Sequence, residues 1–83
     1  MINKEQKAKL MWRCRRGMLE LDLLLEKFVE SNFSLLTNQQ IISFFKLLEC
    51  TDPELFSWFM EATNPQDTEL LEIVNLIREY HKV

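Results

Sequence analysis

Apolar residues return every third or fourth position along this chain, and no sustained alternation of the kind that marks a strand interrupts them. The spacing predicts a first helix from Asn3 or Lys4 to Arg16, with Leu10, Met11, Cys14 and Met18 on one side. Lys9, Arg13 and Arg16 fall on the opposite side, and Trp12 lies off the core side. A second helix over residues 18–31 carries Leu21, Leu24, Leu25 and Phe28, the stripe of an amphipathic helix. Ser31, Asn32 and Ser34 mark the break after it. Thr37 then reads as an N-cap, with Gln40 three residues on to complete a capping box before Ile41, Phe44, Phe45 and Leu48.

Asp52-Pro53 reads as the next start, with Asp52 as N-cap and proline at the first helical position. This fourth helix, 53–62, bears Leu55, Phe56, Trp58, Phe59 and Met60. Apolar side chains surround most of it, so it is either enclosed on nearly all sides or turns Phe56 and Met60 outward. Asn64-Pro65-Gln66-Asp67 forms the last turn before a fifth helix, 67–81, packed through Leu70, Ile73, Val74, Ile77 and Tyr80. The expectation is an all-α protein, a single domain over residues 1–83 built as a compact bundle of five short helices.

Composition narrows the function more than the fold. Hydrophobic residues make up 47% of 83 positions, enough for one modest core. No apolar run reaches the ~20 residues of a membrane span. The opening Asn3-Lys4-Glu5-Gln6-Lys7 lacks the apolar stretch of a secretory leader, which predicts a cytosolic protein. Residues 1–17 hold six basic groups against Glu5, while the rest holds four against twelve acidic ones, for a formal net charge of −3. A basic first helix on an acidic body suits a protein partner. It suits nucleic acid poorly, because the acidic body repels phosphates.

Candidate chemistry is thin. Cys14 and Cys50 make neither a disulfide framework nor a zinc site and read as reduced, core-facing thiols. The single histidine, His81, sits near the C-terminus, and one glycine cannot build a phosphate-cradling loop. The chain is therefore not expected to be an enzyme or to hold a metal. Recognition remains, and the stretch Arg15-Arg16-Gly17-Met18-Leu19-Glu20-Leu21-Asp22 is its best candidate. Two readings of that stretch stand. Gly17 can be the positive-φ residue closing the first helix, with arginines at the helix C-terminus and Glu20 and Asp22 in the first turn of the next. Alternatively, Arg16 and Glu20 project from one exposed corner and bracket a notch where another backbone approaches closely.

Arg16-Gly17-Met18-Leu19-Glu20 also resembles the RGxxE motif of the SdhE family, small five-helix FAD assembly factors of succinate dehydrogenase, known in mitochondria as assembly factor 2. The likeness extends through Trp12-x-Cys14-Arg15-Arg16-Gly17-Met18-x-Glu20-Leu21-Asp22 and through Leu47-Leu48-Glu49-Cys50-x-Asp52-Pro53-x-Leu55-Phe56-x-Trp58, so it covers nearly the whole chain. In the second block, a helix start and core packing already account for Asp52, Pro53, Leu55 and Trp58.

The resemblance implies a chaperone that binds the flavoprotein subunit of succinate dehydrogenase, and in some bacteria that of fumarate reductase. It promotes covalent attachment of FAD to a histidine of that subunit. FAD is then the group attached to the partner, and the chain is expected to act as a monomer without inserting into a membrane. Arg16, Gly17 and Glu20 are the implied contact residues, with Lys9, Trp12, Arg13, Met18 and Asp22 beside them. A regulatory adaptor of antitoxin-like type using the same corner is the alternative.

Overall fold

The computed structural model describes residues 4–81, and among them five α-helices form an all-α bundle without a strand. They are α1 (Lys4–Arg13), α2 (Leu19–Asn32), α3 (Asn38–Leu47), α4 (Asp52–Phe59) and α5 (Thr68–His81), with one 3₁₀ turn (Phe33–Leu35) continuing α2. Helix α3 packs along α5, and α2 touches α1, α4 and α5, so α2 is the element the others share. Asn3, the alternative first residue of α1, lies outside the described residues. None of these helices is long and apolar enough to cross a membrane.

The periodic stripes become the core. Leu10 and Cys14 of the first segment, Leu21, Leu25, Phe28 and Val29 of α2, and Ile41, Phe44 and Leu47 of α3 are buried. So are Leu55, Trp58 and Phe59 of α4 and Leu70, Ile73, Val74 and Ile77 of α5. Phe28 stacks on Phe44 with ring centroids 5.9 Å apart. Each such large side chain contributes about 1.5–3 kcal/mol through burial. Around α4 the outward residue is Met60, whereas Phe56 packs partly against the core. Tyr80 is also more exposed than its spacing suggests. It meets Phe28 edge-on and donates its hydroxyl to Ser31 at 2.8 Å.

Helix ends differ from expectation where a competing hydrogen bond wins. At α3 the expected capping box forms: Thr37 Oγ1 accepts from the Gln40 amide at 3.1 Å, and Gln40 Oε1 accepts from the Thr37 amide at 2.8 Å. At α4 the N-cap is Thr51, not Asp52. Thr51 Oγ1 accepts from the Glu54 amide and Glu54 Oε1 accepts from the Thr51 amide at 3.1 Å, a second complete box. This satisfies two orphan donors at once, where Asp52 alone would satisfy one. Asp52 becomes the first helical residue, and its carboxylate is left for other work.

Helix α4 also stops at Phe59 rather than continuing to 62. The Glu61 amide donates to the Trp58 carbonyl and the Ala62 amide to the Ser57 carbonyl, with Glu61 at φ 60°. That is a Schellman ending with glutamate in the position glycine usually fills. Arg78 of α5 then covers the exposed end of α4. Its Nε donates to the Trp58 carbonyl, Nη2 to the Thr63 carbonyl at 3.1 Å, and Nη1 to Asn64 Oδ1 at 2.9 Å.

A charged corner between the first two helices

Helix α1 ends at Arg13, three residues short of the expected Arg16, because its last amides tighten and then run out. Cys14 N–H is shared between the Leu10 and Met11 carbonyls, and Arg15 N–H bonds Trp12 at 3.2 Å. Beyond that the chain leaves the helix axis. Gly17 turns it back at φ +87°, the left-handed region that L side chains rarely adopt. Gly17 is therefore not helical. It sits inside the α1–α2 connection, and a Cβ built there would meet nothing within 4 Å. Met18 follows as the N-cap of α2 in extended conformation, without a side-chain cap.

Arg16 does not project from the corner as expected. Its guanidinium turns inward, its side chain 16% exposed. Nη1 donates to the Leu48 carbonyl at 2.7 Å and Nη2 to the Cys50 carbonyl at 2.6 Å, while Nε engages the Asp52 carboxylate. Leu48 is the C-cap of α3 and Cys50 lies in the turn just after it, where a cation also suits the helix dipole. The Arg16 backbone N–H in turn donates to Asp22 Oδ1 at 2.7 Å. A side chain offered a carboxylate and two orphan carbonyls in one fork is better satisfied inside than in water. Asp22 is thus a half-buried loop clamp within the first turn of α2.

The remaining predicted residues divide between surface and packing. Glu20 is exposed on the first turn of α2, and among the described residues no hydrogen bond or ion pair engages its carboxylate. Lys9, Trp12 and Arg13 share an open, mostly apolar hollow of about 370 Å³ with Ala8 and Phe45. Trp12 stands 73% exposed there, and the Arg13 guanidinium lies 6.0 Å from the Phe45 ring centroid, in cation–π range. Met18 packs partly against the core. Leu19, beside Gly17 and 71% exposed, joins the corner although periodicity gave no reason to single it out.

Three features were missed from sequence. The Thr51-x-x-Glu54 signature was present, but Asp52-Pro53 offered a simpler start. Phe45 looked like core rather than the floor of a hollow. The inward turn of Arg16 had no local signal, since its partners lie more than thirty residues away.

Neither thiol suggests chemistry. Cys14 is fully buried, and burial first, then the carboxylates of Glu26 and Asp22, push it up to about 12. Burial likewise raises Cys50, which is only partly enclosed.

Residues 8–81 match the family model described as the flavinator of succinate dehydrogenase. The chain belongs to this family. The flavinator-family relatives include an FAD assembly factor SdhE of Legionella pneumophila (strain Paris), 48% identical over 77 residues, spanning 93% of this chain and 96% of the relative. The SdhE protein of Yersinia pseudotuberculosis is 44% identical over 78 residues, covering 94% and 89%. The solution structure of a UPF0350 protein superposes with a TM-score of 0.82 at 41% identity, covering 96% of this chain and 85% of that one. The expected family and the five-helix fold therefore both hold.

Proposed function

We propose that this protein is an FAD assembly factor that acts by docking its α1–α2 corner on a flavoprotein. The client is the flavoprotein subunit of succinate dehydrogenase, in the cytoplasm, and the flavoprotein of fumarate reductase is a second client of the same kind. The observation that carries this reading is the pairing of a bare, positive-φ Gly17 with an exposed Glu20 whose carboxylate no other described residue engages. The glycine leaves main chain open to close approach, and the glutamate accepts from a client N–H or guanidinium. Lys9, Trp12 and Arg13 flank this centre with cationic charge and one large aromatic surface, the residue types that dominate binding energy at interfaces. Arg16, Met18 and Asp22 belong to the same surface as the groups that give it shape.

The chain's contribution is positional. Joining flavin to an imidazole requires the ring's methyl carbon and the histidine nitrogen to be held in near-attack geometry inside the client. A helper that binds one arrangement of the client's domains better than others raises the population of that arrangement.

The test is covalent flavin on the succinate dehydrogenase flavoprotein in cells lacking this chain, read as flavin fluorescence in a denaturing gel. Loss of the signal, restored by the wild-type chain and not by Glu20→Ala, supports the proposal. Undiminished flavinylation without the chain refutes it.

A further inference from the structure

Arg16 sits in the motif yet spends its side chain inside the protein. Every polar end of the guanidinium has an internal partner: the Asp52 carboxylate, the Leu48 carbonyl at 2.7 Å and the Cys50 carbonyl at 2.6 Å. Its main-chain N–H is held as well, by Asp22. Gly17 follows directly in the chain, with Glu20 three residues further on in the first turn of α2. The pose of the docking corner is thus fixed from below by groups on α2 and on the α3–α4 turn.

Asp52 is free to do this because Thr51 and Glu54 complete the capping of α4 without it. Its carboxylate is about one-third exposed and lies at the first helical position, where an anion also suits the helix dipole. Had Asp52 been the N-cap, its oxygens would have been turned toward the α4 amides.

We propose that Asp52 and Arg16 form a positioning pair: Asp52 touches no client atom, but by holding the Arg16 fork it sets the placement of Gly17 and Glu20 on which binding depends. The proposal rests on the corner being the docking surface. It adds a residue remote in sequence, on α4, to the determinants of client affinity. It also assigns Arg16 an indirect role, so a charge at position 16 is insufficient without its fork. Lysine offers one ammonium in place of three directed N–H groups and cannot reach all three acceptors together.

The experiment measures the affinity of the purified flavoprotein subunit for the full chain, below the melting temperature of every variant. Asp52→Ala in the wild-type background is expected to weaken binding about tenfold, the scale of one lost charge-assisted hydrogen bond. Asp52→Asn keeps an oxygen acceptor for Nε and should recover much of that loss. In a Glu20→Ala background, Asp52→Ala should cost clearly less than in the wild type, because one of the two groups it places is already gone. An equal loss in both backgrounds, or none in either, overturns the positioning role while leaving the corner intact. If Glu20→Ala alone leaves affinity unchanged, the corner itself is not the docking surface and the proposal falls with it. Arg16→Lys offers a second route: it should weaken binding as Asp52→Ala does, and wild-type affinity for that variant also counts against the pair.

Discussion

Nε of Arg78, in the last turn of α5, donates to the main-chain carbonyl of Trp58 at 2.9 Å, twenty residues earlier in the chain. The same guanidinium reaches Thr63, Asn64 and Asn75, so one side chain ties the end of α4 and the following turn to α5. Replacing it with methionine keeps the aliphatic stem and removes the donors. The orphaned carbonyls of a partly buried helix end should then cost about 1–3 kcal/mol. Urea unfolding followed by circular dichroism checks this. An unchanged midpoint would mean that water replaces the guanidinium without loss.

Gly17 gives a test that separates backbone strain from contact. Alanine should lower stability by about 1–2 kcal/mol, because an L side chain is strained in the left-handed region and no neighbouring atom adds to the effect. D-alanine, placed there by chemical synthesis, favours the same φ and should hold or raise the melting temperature. Both add a methyl group to the exposed corner. If close approach to Gly17 matters, both weaken client binding, and the D-residue does so without destabilising the chain.

Glu61 predicts the opposite sign. It occupies the left-handed position of the Schellman turn at φ 60°, where glycine carries no Cβ penalty. Glu61→Gly should stabilise the protein by about 0.5–1 kcal/mol even after the greater chain entropy of glycine is counted. Thermal melting is sufficient to see it. A lower melting temperature would show that Glu61 makes a compensating interaction.

The two thiols should react at very different rates. Cys14 is enclosed and raised to about 12, so a disulfide reagent at neutral pH should reach it only when the chain opens. Cys50 is partly accessible and should react first, though more slowly than a free thiol, since burial raises it too. Two equal fast phases would contradict the placement of Cys14.

The Lys46–Asp67 bridge, 2.7 Å long and exposed, makes stability depend on pH at both extremes. The Lys46 hydrogen bond first, then the Leu70 amide, lowers the Asp67 carboxyl below its ordinary 3.8. Its contribution is complete above that value and is lost as pH falls through the lowered one. Lys46 is raised above 10.5, chiefly by its hydrogen bond to Asp67, so its share is complete below 10.5 and lost as pH rises through the raised value. The difference in melting temperature between wild type and Asp67→Asn should therefore shrink near both ends and stay flat between them. Added salt should reduce it throughout.

The core and the number of helices were legible because both follow from local spacing. Leu21, Leu25 and Phe28 declare one face, and Thr37 with Gln40 declares one start. Element ends were harder. Asp52 and Thr51 are both competent caps, and what separates them is that Glu54 reciprocates only with Thr51. The corner was legible as a motif and not as a shape. Whether Arg16 faces outward depends on carbonyls of Leu48 and Cys50, which come near only after α3 has packed. Long-range partners of a charged side chain leave no periodic trace in the chain that carries them.

The fork at Arg16 has a mechanical side. Because one side chain grips the α3–α4 turn while its own main chain forms the corner, a force applied at Gly17 is transmitted to Leu48, a buried member of the hydrophobic interior. A client that grasped the corner and pulled would strain the bundle itself. One that pressed upon it would brace the bundle, and the amides around Leu48 and Cys50 would then exchange with solvent more slowly, at a distance from any atom the client touches.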